Sequence, residues 1–278
     1  MLKKKIGLVL GGGGAKGFAH IGVLKFLEEK NIPIDYVAGT SIGAIIGALY
    51  CLGYSSFEIE KIAKTTKFKQ LFDLTLPKKG LIKGEKIEIY LKHLFENKKF
   101  SDLKKPLFVV STDIINFHEV IFNKGDLTKA VRASISIPGI FHPVPNKNKI
   151  LVDGGVLNNL PIDVLQKKAD SIIAVNLEKG KIKQPIYETA NSKKENTESI
   201  NIINILLNSY TMIIANQLKN MADNPNILIL SPDLEKISIK DFNKSEQGIL
   251  KGYEIAKKNF NKIKVLLKKE NLLEKIFK

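Results

Sequence analysis

Two short stretches of this chain combine residue types and spacing that could do chemistry. One is Gly39-Thr40-Ser41-Ile42-Gly43, a G-x-S-x-G. A serine held at the tip of a sharp strand-to-helix turn presents its hydroxyl as a nucleophile, and its neighbours two positions away on either side must then lack side chains. On its own the pattern is weak, because a glycine-flanked serine also caps ordinary helices. The other is Gly11-Gly12-Gly13-Gly14-Ala15-Lys16-Gly17. Glycines at a helix N-terminus present backbone N–H groups with no side chains in the way, which suits a phosphate or a developing oxyanion equally well.

The glycine run contains G-x-G-x-x-G at Gly12, Gly14 and Gly17, so a dinucleotide site must be weighed. Such a site wants an acidic residue at the end of the next strand. Asp35 stands at the start of that strand, and its end is Gly39-Thr40-Ser41. A Walker phosphate loop fails on residue order, because Lys16 is followed by glycine.

A nucleophilic serine needs a base. The α/β-hydrolase order is serine, acid, histidine, yet His142 is the last of four histidines, after His20, His93 and His118. His142, in Gly139-Ile140-Phe141-His142-Pro143, remains one candidate. Asp153, in Val152-Asp153-Gly154-Gly155 at the end of a strand, is the other. An aspartate is a poor base at its ordinary pKa of about 3.9, so burial would have to raise it. An ordinary Asp-Gly turn is the competing explanation.

The elements around these residues follow from periodicity. Ile6 to Leu10 is an apolar run ending in the glycines, a buried strand. Ala15 to Lys30 has helical spacing, Tyr36 to Gly39 reads as a second strand, and Ile42 to Leu52 as a helix whose Ala44, Gly47 and Ala48 allow close approach to a sheet. Strand, helix, strand, helix predicts an α/β fold with a parallel sheet. Helices are expected at 56–66, 85–95, 127–133, 200–218 and, amphipathic, at 245–269. Strands are expected at 107–112, 119–122, 150–152, 172–175 and 227–230. The polar, lysine-rich stretch 179–198 reads as a loop or lid segment.

Composition narrows the class. The chain has 278 residues, 44% apolar and 26% charged, an ordinary globular balance. One cysteine, Cys51, excludes an intramolecular disulfide, and the scattered histidines point to no metal site. The net charge of +16 is almost all lysine, since Arg132 is the one arginine. Base reading and planar phosphate clamps favour arginine, so no nucleic-acid partner is expected. The charge is read as a solvated lysine-rich surface, with attraction to anionic membranes as the second explanation. No apolar run reaches the ~20 residues of a spanning helix, and Lys3-Lys4-Lys5 with the short run after them do not make a signal peptide. A cytoplasmic protein is expected, at most peripheral at the inner face of the membrane. The basic, apolar segment 261–278 suits an interfacial helix, although docking on the protein's own core is the more frequent arrangement.

Together these motifs resemble the patatin-like phospholipases, in particular the bacterial neuropathy-target-esterase type. The resemblance covers roughly residues 5 to 260. It rests on Gly12-Gly13-Gly14-Ala15-Lys16-Gly17, on Gly39 to Gly43, on Ala133-Ser134-Ile135-Ser136-Ile137-Pro138, and on Asp153-Gly154-Gly155, in the family's order. Lys16 stands where bacterial members more commonly carry arginine. The resemblance implies a single patatin-like domain over 5–260, a three-layer α/β fold with a central, mainly parallel sheet flanked by helices. It implies a serine acyl hydrolase of the phospholipase A or lysophospholipase type, without cofactor or metal, acting on phospholipid or lysophospholipid. Ser41 would be the nucleophile, Asp153 the base of a Ser–Asp dyad, and the N–H groups of Gly12, Gly13 and Gly14 the oxyanion hole. Lys16, Gly17, Gly39, Gly43, Gly154 and Gly155 would support these. Lys16 either stabilises the glycine turn or meets an anionic headgroup. Arg132 either pairs with a carboxylate or is a solvated helix residue, and Asn158 and Asn159 fix the loop after Asp153. The alternatives are a catalytically inactive scaffold and a nucleotide-binding module.

Overall fold

A computed structural model describes residues 4–76, 79–178, 202–217 and 224–268. The expected loop at 179–198 and the tail 270–278 lie outside the described residues.

The chain opens with β1 (Ile6–Leu10), a single 3₁₀ turn over Gly14–Gly17, and α1 (Phe18–Glu29). The helix expected from Ala15 therefore starts three residues later, because the glycine loop is spent on the turn. Next come β2 (Tyr36–Thr40), α2 (Ile42–Leu52), α3 (Ser56–Thr65), α4 (Glu85–Leu94), β3 (Leu107–Asp113), β4 (His118–Phe122) and α5 (Leu127–Ser134). The second half adds β5 (Val144–Asn146), β6 (Lys149–Asp153), α6 (Asp163–Gln166), β7 (Ser171–Val175), α7 (Ile202–Gln217), β8 (Ile227–Leu230), α8 (Ser245–Lys258) and α9 (Phe260–Leu267).

The eight strands form one sheet in the order β5-β6-β3-β2-β1-β7-β8, with β4 on the other edge of β3. From β3 to β8 the pairing is parallel, and β4, β5 and β6 are antiparallel additions. Alternation along each central strand divides the core. Leu8, Leu10, Val37, Leu107, Val109, Ile173 and Val175 face a large apolar layer built with α1, α2, α8 and α9. Val9, Ala38, Phe108, Val110, Ile172 and Ala174 face a thinner layer made by Leu160 to Leu165. Period-2 side chains buried on both faces are what a covered parallel sheet requires, and the three-layer expectation holds.

The long C-terminal helix expected over 245–269 is two helices. Asn259 ends α8 by turning its side-chain amide back onto the Ile255 carbonyl (2.9 Å), a local bond that competes with helix continuation. The redirected α9 then buries Ile263 and Leu266 in the main core while Val265 stays exposed. Lys4 Nζ and Ser171 Oγ both donate to the Leu266 carbonyl. This part of the basic segment docks on the protein itself. No helix among the described residues is long and apolar enough to cross a membrane.

Candidate active site

The long strand β3 brings the site together. On one edge its first half pairs with β2, ending at Thr40 opposite Val110. Since β4 occupies the opposite edge from Val109 to Asp113, β6 must take the β2 edge over the second half, ending with Asp153 opposite Ser111. β2 and β6 thus approach head to head along the same edge, and the residues that terminate them meet.

Ser41, the residue after Thr40, adopts φ 55° and ψ −124°, a region that costs a side chain of order 1–3 kcal/mol. The glycines on either side make the turn feasible. A Cβ at Gly39 would run into the Gly43 carbonyl at 2.5 Å, and one at Gly43 into the Leu10 carbonyl. Ser41 Oγ donates to Asp153 Oδ2 at 2.6 Å, and Gly155 N donates to Asp153 Oδ1 at 2.8 Å. Ser41 is 5% exposed and Asp153 fully buried. Burial pushes the Asp153 carboxyl up to about 6, against the lowering effect of the bonds from Ser41 and Gly155 and of the nearby Tyr210 hydroxyl. The aspartate is therefore a usable base near neutral pH.

The Ala133–Pro138 segment ties both members down. Ser134 Oγ accepts from the Ser41 amide (2.9 Å) and donates to the Val110 carbonyl (2.6 Å). The Ser136 carbonyl accepts from the Asp153 amide at 2.9 Å. The sequence marked this segment without showing what its serines do.

The glycine loop lies on the other side of Ser41, where a Cβ at Gly12 would come within 3.1 Å of Ser41 Cβ. Gly12 N donates to the Asn159 carbonyl (3.1 Å), and Asn159 Nδ2 donates back to the Gly12 carbonyl (3.2 Å). Gly12 is thereby clamped and its N–H is used, which corrects the expectation of three glycine donors. Gly11 N goes to Val175, Ala15 N to Ile239 and Lys16 N to Gly13. Among the described residues, Gly13 and Gly14 are left with N–H groups not taken by the fold. Gly14 holds φ +55° with its missing side chain against the Ile239 carbonyl, a place for glycine alone. Gly17 packs against Ile42.

Lys16 turns away from the loop into an ion pair with Glu178 (2.6 Å), both largely buried. Glu178 is itself fixed by the Asn176 side chain, which spans its N–H and carbonyl. Lys16 is thus engaged within the protein by Glu178. Behind the loop His20 Nε2 stands 2.8 Å from the Gly11 carbonyl, and complete burial pushes His20 down to about 4, so it is neutral.

Two other expectations resolve differently. His142 is bonded through its backbone, its amide to Ile82 and its carbonyl to Arg132, while the partner of Ser41 Oγ is Asp153. Arg132 is not solvated, and among the described residues no carboxylate forms an ion pair with it. It is buried and donates to the carbonyls of Gly84, Lys83 and His142 and to Ser136 Oγ, with its guanidinium over the Phe141 ring. Backbone carbonyls disperse its charge here, and they leave no mark in sequence. Asp35 stands just before β2, as the sequence indicates, and accepts from the Ile6 amide (2.7 Å), so no carboxylate ends that strand for a dinucleotide. Asn158 and Asn159 do fix the loop after Asp153, the first through Glu119 and Asp163 and its carbonyl to Thr40 Oγ1. Two residues had no signal along the chain: Gln217, whose amide donates to the carbonyls of Gly155 and Val156 and accepts from Asn159 N, and Tyr210, beside Asp153.

A strained serine, a buried carboxylate bonded to it and a glycine loop with spare N–H groups are now in one place. The sequence model of the family "Patatin-like phospholipase" matches residues 8–165, which include all three. The chain belongs to the patatin-like phospholipase family. An uncharacterized NTE family protein of Mycobacterium tuberculosis is 32% identical over 278 residues, covering 91% of this chain and 46% of that protein. Lysophospholipase NTE1 of Meyerozyma guilliermondii is 31% identical over 274 residues, covering 92% of this chain and 19% of that protein. This patatin-like chain thus spans under half the length of either relative. Among solved structures, VipD from Legionella pneumophila superposes with a TM-score of 0.64 at 14% identity, over 95% of this chain and 66% of that one. That likeness carries the fold.

Proposed function

We propose that this protein is a serine acyl hydrolase cleaving fatty-acyl esters of phospholipids or lysophospholipids, with Ser41 as nucleophile and Asp153 as base. The observation that carries this reading is the 2.6 Å bond from Ser41 Oγ to a buried Asp153 carboxylate, in a family named for phospholipases. The name of the lysophospholipase relative supports the substrate class.

Ser41 Oγ attacks the ester carbonyl carbon as its proton passes to Asp153 Oδ2. The tetrahedral oxyanion is received by the Gly13 and Gly14 N–H groups, donors whose removal typically costs ~10²–10³ in rate. Collapse expels the alcohol, which takes the proton from Asp153 and leaves an acyl-Ser41. Water then attacks, giving its proton to Asp153, and Ser41 leaves with that proton as the fatty acid departs. Asp153 acts directly on each oxygen, so no histidine is required.

The test is release of fatty acid from lysophosphatidylcholine and from diacyl phospholipid vesicles by the wild type and Ser41→Ala. Release by the wild type that disappears in a folded Ser41→Ala protein supports the proposal. Equal release by both, or none from any acyl ester, rejects it and favours the scaffold alternative.

A further inference from the structure

Helix α7 lays one buried polar side chain against the dyad that the chemistry above leaves unused. Tyr210 is 6% exposed, and a Cβ on Gly155 would collide with its hydroxyl, which places that oxygen directly over the turn that follows Asp153. Among the described residues the hydroxyl closes no hydrogen bond of ordinary geometry. A buried phenol O–H without an acceptor is costly, so an acceptor beside it is expected to be used. Burial, then the charge of the Asp153 carboxylate and close contact with it, and last the charge of Glu178 hold the phenol well above its usual range. Tyr210 therefore keeps its proton at working pH and can only donate toward a charged neighbour.

The Asp153 carboxylate has room for it. Ser41 occupies Oδ2 once and Gly155 occupies Oδ1 once, and an ionised carboxylate offers about four acceptor directions. The helix is registered there independently. Gln217, two turns beyond Tyr210 and so on the same helical face, bonds to the carbonyls of Gly155 and Val156 and to the amide of Asn159. The other polar groups around this turn are neutral: the Ser41 hydroxyl at the elbow, Ser111 opposite Asp153 on β3, and the Asn159 side-chain oxygen, which lies over Gly155 beside the Tyr210 hydroxyl. Ser136 reaches Asp153 only through its carbonyl. Glu178, beyond β7, is compensated by Lys16.

We propose that Tyr210 is a positioning residue of the dyad, its hydroxyl donating to the Asp153 carboxylate as the base takes and returns the Ser41 proton. This rests on the dyad reading above. A donor on the carboxylate favours its ionised form, so α7 sets the pH at which the base becomes available.

The test reads Asp153 without relying on turnover. The 278-residue chain is labelled with ¹³C-carboxyl aspartate, the Asp153 resonance is assigned with Asp153→Asn, and its titration midpoint is compared between wild type and Tyr210→Phe. Tyr210→Phe is expected to move the midpoint up by about half a pH unit or more, roughly a threefold change in ionised fraction near the midpoint. Replacing Tyr210 by 3,5-difluorotyrosine preserves the packing and makes the hydroxyl a stronger donor, so the midpoint moves down. If Tyr210→Phe fails to fold, this second replacement decides alone. Shifts of opposite sign support the proposal, because loosened packing would move both the same way. A midpoint unmoved by either change, or moved in one direction by both, overturns it. Fluorophosphonate labelling of wild-type Ser41 separates the two claims. Midpoints that shift in a protein whose serine never labels would remove the dyad reading and leave the hold of Tyr210 on Asp153.

Discussion

Thr40 and Asp153 sit opposite consecutive residues of β3, Val110 and Ser111, although 113 positions separate them in the chain. That head-to-head ending on one strand edge is what delivers Ser41 Oγ to the carboxylate. Because the geometry belongs to backbone pairing in a buried sheet, the pair is preorganised before any substrate arrives.

Removing the base while keeping its shape should slow the reaction severely. Asp153→Asn retains an oxygen and a nitrogen where Gly155 and Ser41 are bonded, so the fold survives while kcat/KM falls by about 10²–10⁴, the usual contribution of a positioned base. Steady-state hydrolysis of a soluble ester gives the number. A loss of less than tenfold in a folded variant would contradict the role.

The pH dependence follows from the buried carboxyl. With Asp153 at about 6, the base is protonated and silent below that pH, and kcat/KM rises through an acid limb centred there. A limb near the ordinary carboxyl value of about 4 would mean that burial does not control this group.

Stability carries two opposed linkages. Asp153 binds its proton more tightly folded than unfolded, so its contribution is full below about 4 and is lost as pH rises through about 6. His20, lowered to about 4 from an unfolded value near 6.5, contributes fully above 6.5, and that contribution is lost as pH falls. Each shift corresponds to about 3 kcal/mol, and between about pH 4 and 6 they largely cancel. Asp153→Asn removes one of the two. Urea unfolding should show it more stable than wild type at pH 8, by up to about 3 kcal/mol, with the advantage gone by pH 4. Equal midpoints at pH 8 would contradict the account.

The Ser41 amide depends on one hydroxyl. Ser134→Ala leaves that N–H buried without its acceptor, at a cost of about 1–3 kcal/mol, and frees the strained elbow. A lower thermal midpoint together with a reduced kcat is expected, and an unchanged kcat would mean that the elbow is held by its glycines alone.

How much of this was legible in the sequence depended on how local each signal was. Ser41 and Asp153 could be found because glycines must flank them, and the central strands because two-sided burial produces continuous apolar runs. β5, three residues around Pro145, and α6, one turn after Pro161, are too short to show a period. The break at Asn259 depended on a side-chain bond that competes with an otherwise continuous amphipathic pattern. Arg132, Gly12 and Tyr210 were out of reach for another reason. Their roles are set by carbonyls and by a carboxylate brought near by folding, and no spacing along the chain encodes those contacts.

The central claim is that Ser41 is a nucleophile activated by Asp153. Its most direct test is fluorophosphonate labelling followed by intact mass and peptide mapping of wild type, Ser41→Ala and Asp153→Asn. One adduct on Ser41 in the wild type, absent in Ser41→Ala and slowed at least a hundredfold in Asp153→Asn, is the expected result. Labelling at another residue, or on Ser41 at the same rate without the Asp153 carboxylate, would contradict it.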